Sequence, residues 1–100
     1  MSNTDKEHWI DIENKLSALF QAHKNCLSEE SIEAVQHYLN HSEYEIALEG
    51  LIIDLMEQGV RYEGAWCQLG IALGLNKETV LIPDFWDKLI EYRNKQKQPE

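Results

Sequence analysis

The stretch that decides the fold is Tyr44-Glu45-Ile46-Ala47-Leu48-Glu49-Gly50-Leu51-Ile52-Ile53-Asp54-Leu55-Met56. At a helical period, Tyr44, Ala47, Leu48, Leu51, Ile52 and Leu55 fall on one face, the strongest amphipathic pattern in the chain. Ser42-x-x-Glu45 reads as a capping box for this helix, and Gly59 as the left-handed residue that ends it. Ile46 and Ile53 fall on the opposite side, with Glu45, Glu49 and Glu57 near them and Glu43 and Asp54 a little further round. Two readings are open for that side. Another helix covers both isoleucines, or they form a small apolar centre with an acidic rim, as partner surfaces do.

The same region dominates the charge. Residues 25–60 hold Glu29, Glu30, Glu33, Glu43, Glu45, Glu49, Asp54 and Glu57 and no lysine or arginine. They supply −8 of the formal net charge of −9, because the two flanks are nearly balanced. Such acidity disfavours direct nucleic-acid or anionic-membrane binding, which would be repulsive, and favours fast capture of a cationic partner.

Working outward, Thr4-Asp5-Lys6-Glu7 fits a capping box, and Trp9, Ile12, Leu16, Leu19, Phe20 and His23 form the stripe of a first helix ending near Lys24-Asn25. Ser28 caps a second helix, whose first-turn Glu29 and Glu30 suit the helix dipole and whose core positions are Ile32, Val35 and Leu39 beside Tyr38. The very short turn to the third helix makes the two antiparallel neighbours or steeply crossed. A fourth helix spans roughly Tyr62 to Leu73, closed by Gly74 with Leu75 as the accompanying apolar contact. Gly70 inside it predicts a closely packed neighbour. Asn76-Lys-Glu-Thr79 is a further start signal, enough for one turn. Pro83 opens a last helix with Phe85, Trp86, Leu89 and Ile90 inward, and Arg93 to Glu100 is polar and expected to fray. Thr79-Val80-Leu81-Ile82 is the only β-like run and is too short to build a sheet alone. The expectation is an all-α fold: one domain over residues 1–100, a small antiparallel bundle of about five helices.

A chain of 100 residues with 43% hydrophobic content can bury roughly two-thirds of its unfolded surface in a single core. The N-terminus lacks the apolar segment of a secretory signal, and the longest apolar run is Leu51-Ile52-Ile53, so a soluble cytoplasmic protein is expected. Cys26 and Cys67 read as free buried thiols of a reducing compartment rather than a disulfide. Trp9, Trp66 and Trp86 lie on apolar faces and read as core. Tyr38, Tyr44 and Tyr62 bound the acidic region, where tyrosine is a common anchor.

No constellation reads as catalytic. His37 and His41, with Glu33 and Glu45 a turn away, have the spacing of a zinc grip, but they also fit two solvent-facing histidines at a helix end. His23 and Cys26 are too few for a Cys/His metal site. No phosphate loop, nucleophile elbow or dinucleotide fingerprint is present. No enzyme activity, cofactor or metal is expected.

Leu27-Ser28-Glu29-Glu30 followed by His41-x-Glu43-Tyr44-x-x-Ala47-Leu48-Glu49-x-Leu51-x-x-x-Leu55 resembles the small helical immunity proteins of bacterial polymorphic toxin systems, notably those of the Maf and contact-dependent growth inhibition types. The likeness covers residues 12–58. It implies an antitoxin that neutralises the C-terminal effector domain of a cognate toxin, commonly a basic nuclease such as an RNase, as a monomer in a 1:1 complex. On that reading the toxin-facing set is Glu29, Glu30, Glu33, Glu43, Glu45, Glu49, Asp54 and Glu57, with Tyr44, Ile46 and Ile53 as anchors. The alternative is a small acidic helical adaptor or regulator that binds another basic protein.

Overall fold

In the computed structural model the backbone is described over residues 3–97 and the side chains over 6–96. Five α-helices follow one another: α1 (Asn3–His23), α2 (Glu29–Asn40), α3 (Tyr44–Glu57), α4 (Gly64–Ala72) and α5 (Phe85–Lys97). No strand is found among the described residues. The all-α bundle is therefore what forms.

α3 is its centre: it packs against α1, α2, α4 and α5. The face read from the sequence holds in full, since Tyr44, Ala47, Leu48, Leu51, Ile52 and Leu55 are all buried. Ile12, Leu16, Leu19 and Phe20 of α1, Val35 of α2, Trp66 and Leu69 of α4, Leu75, and Phe85 and Leu89 of α5 complete the core. Ile53 and Met56, on the other side of α3, also pack against it, so this helix is apolar nearly all round.

Helix ends follow local chemistry with one correction. Ser28 caps α2, its hydroxyl accepting the Ser31 N–H at 3.1 Å. Gly59 and Gly74 adopt the expected positive φ, 72° and 79°, after α3 and α4. Each sits in a paired-bond helix stop, with Val60 N–H to Leu55 O at 3.0 Å and Leu75 N–H to Gly70 O at 2.8 Å. The capping box at Ser42 does not form. Ser42 has φ 58° and ends α2 in the same way, as Glu43 donates its N–H to Tyr38 O at 2.8 Å and Ser42 to Leu39 O at 3.1 Å. Glu43 becomes the residue before α3, without a side-chain cap. The reversal needs a left-handed residue more than α3 needs a cap, because the turn has only three residues.

Other ends shift. The Thr4 cap lies outside the described side chains. α1 leaves through a 3-10 turn over Lys24–Cys26 rather than a left-handed Asn25. Asn76 and Lys77 end a turn rather than start a helix, Glu78 and Thr79 have no regular structure, and α5 begins at Phe85, two residues after Pro83. α5 continues to Lys97 instead of fraying at Arg93, since Gln96 Oε1 accepts the Tyr62 N–H at 2.7 Å. The close neighbour of Gly70 is Trp86, whose ring fills the space a Cβ would take.

Candidate functional site

The acidic residues divide by what covers them. Glu29, Glu30 and Glu33 lie exposed along α2, and Glu43 is exposed in the turn. Glu57 is exposed at the end of α3. α2 and α3 form a tight hairpin with extensive mutual packing. Glu45 and Asp54 are half-buried. Ion pairs among the described residues join Lys15 to Asp11, His23 to Glu63 and Lys95 to Glu91, and none involves a carboxylate of residues 25–60. Among the described residues, no carboxylate of this stretch is thus within ion-pair distance of a base.

Glu49 departs from the expected acidic surface. It is 0% exposed. Its Oε2 accepts the N–H of Val80 at 2.7 Å, and its Oε1 accepts those of Leu81 and Ile82, both at 2.9 Å. Three successive amides make a concavity suited to an anion, which offsets the loss of hydration. The residue is a structural clasp for the segment between α4 and α5. A charged side chain read from spacing alone looks solvent-facing. The covering segment comes from more than thirty residues away, so nothing local marks it.

The expected anchors are also committed inside. Tyr44 is buried, its hydroxyl donating to Glu13 Oε1 at 3.0 Å and its ring stacked on Trp9 at 5.8 Å. Ile46 and Ile53 are half-buried. Tyr38 and Tyr62 are half-buried and pack against the core. On the far side of α3, Ile53 packs against the core while Ile46 is only half-buried, and the cover found there is the loop over Glu49 rather than a helix over both isoleucines.

Exposed apolar groups occur elsewhere. Trp9, expected in the core, is 42% exposed, whereas Trp66 is fully buried and Trp86 half-buried. Val80 and Leu81 are 55% and 57% exposed. Their backbone is held inward by Glu49, so their side chains point out. Two hollows meet at Glu45: one of 540 Å³ lined by Leu73, Gly74, Lys77, Glu78, Thr79 and Val80, and one of 360 Å³ lined by Trp9, Ser42 and Tyr44. The sequence reading misses both hollows; the apolar run over residues 79–82, which reads there only as β-like, borders one of them.

A further hollow of 460 Å³ lies between α1 and α4, floored by Ala18, Leu19, Ala22, Ala65, Leu69 and Ala72. On its rim Asp11 pairs with Lys15 at 3.0 Å, and Glu63 lies 3.3 Å from His23 Nε2. His37 and His41 are exposed with ring centres 4.4 Å apart, and no group of three or more metal-ligating side chains is found among the described residues. Cys67 is buried and free as expected, but Cys26 is exposed, its thiol donating to His23 O. No helix among the described residues is long and apolar enough to cross a membrane.

Compared with protein-family models, curated proteins and solved structures, the chain matches none.

Proposed function

We propose that this protein is an immunity protein. It binds the basic C-terminal effector domain of a cognate bacterial toxin, a nuclease, in the cytoplasm, and blocks its cationic groove as a monomer in a 1:1 complex. The observation that carries the reading is the set Glu29, Glu30, Glu33, Glu43 and Glu57. These carboxylates face solvent with no base to neutralise them among the described residues, in a segment devoid of lysine and arginine. Nuclease active sites are cationic because they hold phosphate. A negative surface of this kind raises the association rate, and an antitoxin must bind before the toxin acts. The resemblance over residues 12–58 supports a toxin as the partner, and the charge supports a basic one.

The test is to look for a large toxin gene immediately upstream of this one and to co-express the C-terminal domain it encodes with this protein; no such gene overturns the reading. Wild type is expected to protect the cell and to co-purify with that domain. Substituting lysine for Glu29, Glu30 and Glu33 together is expected to lower the association rate about tenfold at low salt and to weaken its salt dependence. An unchanged rate at low salt removes the acidic face from the mechanism.

A further inference from the structure

We infer that the apolar anchor of the partner-binding surface is the cluster of Val80, Leu81 and Trp9 around Glu45, lying outside the acidic stretch, and that it seats the same basic protein. This rests on the reading above and deepens it. Charge accelerates encounter, but tight complexes also need a desolvated apolar centre. Tyr44, Ile46 and Ile53 cannot supply one, being buried or half-buried in the protein's own fold. Val80, Leu81 and Trp9 are among its most exposed large apolar side chains. Glu45 lines both hollows, with Val80 in one and Trp9 in the other, and Leu81 follows Val80 along the held loop.

The loop is also pre-ordered. Glu49 holds three consecutive amides at 2.7–2.9 Å, and Thr79 Oγ1 donates to Pro83 O at 3.3 Å. Side chains on so constrained a backbone lose little further entropy on binding. The stack of Trp9 on Tyr44 similarly limits its rotamers. The rim is acidic: Glu45 and Glu78 line the hollows, Glu43 adjoins them in sequence, and Lys77 is the lone base among the lining residues. An apolar centre with a net negative border fits a partner whose own apolar patch is ringed by lysine or arginine.

The experiment uses the full chain and the same upstream-encoded effector domain, with association and dissociation rates measured separately. Leu81→Asp and Trp9→Ala are each expected to raise the dissociation rate about tenfold or more, with association changed by no more than about threefold. Ala65→Glu, in the hollow between α1 and α4, is expected to change neither. Melting temperatures near wild type confirm that the exposed substitutions leave the fold intact. Unchanged dissociation for both Leu81→Asp and Trp9→Ala, with wild type binding tightly, overturns the anchor and leaves the electrostatic reading standing. Loss of binding in Ala65→Glu alone places the anchor between α1 and α4 and also overturns it. Self-association of the wild type that Leu81→Asp abolishes makes the cluster a contact between copies, which overturns it as well. No binding by wild type overturns the functional reading together with this inference.

Discussion

Glu49 Oε1 accepts the backbone N–H of Leu81 at 2.9 Å, so the middle of the central helix holds the loop between α4 and α5 by a buried charge. The second oxygen takes Val80, and the first is shared with Ile82. A carboxylate meets all three donors, whereas an amide of the same shape presents one oxygen and turns an N–H₂ toward an N–H. Glu49→Gln is therefore expected to destabilise the fold by about 2 kcal/mol, the cost of one unsatisfied donor and of lost charge assistance. Urea unfolding measures this, and faster amide exchange at residues 80–82 locates it. An equal midpoint and unchanged exchange would mean that the clasp contributes nothing.

Gly70 tests the packing between α4 and α5. A Cβ there would lie 2.6 Å from Cζ3 of Trp86, a ring atom with little freedom to retreat. Alanine gains about 1 kcal/mol of helix propensity, but overpacking costs about 1–3 kcal/mol. Gly70→Ala is expected to lower stability despite the better helix former. Combining it with Trp86→Leu should recover part of the loss relative to Trp86→Leu alone. Additive single and double variants would contradict the contact.

Ser42 carries the left-handed turn between α2 and α3 with φ 58°. A side chain there costs about 1 kcal/mol or more, which glycine avoids, while glycine's freer unfolded chain takes back part of the gain. Ser42→Gly is expected to stabilise by about 0.5 kcal/mol, read as a small rise in the denaturant midpoint with unchanged slope. Ser42→Val should shift it the other way.

Alkaline stability should depend on Tyr62. Burial pushes its phenol above the ordinary value of 10.0, and the neighbouring Cys67 thiol adds to this, while Arg93 acts in the opposite direction. The folded protein thus keeps Tyr62 neutral at a pH where the unfolded chain has begun to ionise it. The contribution is complete below the unfolded value and is lost as pH rises through the folded one. Tyr62→Phe is expected to lose less stability than wild type on going from about pH 9 to about pH 11. Parallel curves for the two proteins would exclude this ionisation as a cause.

What the sequence by itself determined was local. The period of residues 44–56 named every buried apolar residue of α3, and Ser28, Gly59 and Gly74 marked real helix ends, because capping and amphipathicity are read within one or two turns. Gly70 announced a close neighbour but not that it was Trp86. Tertiary structure alone decided that Glu49 is a clasp while Glu29, Glu30 and Glu33 are surface, although all four sit on helices and look alike in sequence. It also decided that Trp9 stays half outside and that Val80 and Leu81 project from a held loop. The physical reason is common to these cases. Periodicity tells which side of a helix is apolar, whereas burial of any one side chain depends on what the rest of the chain lays over it, and for Glu49 that cover lies more than thirty residues away.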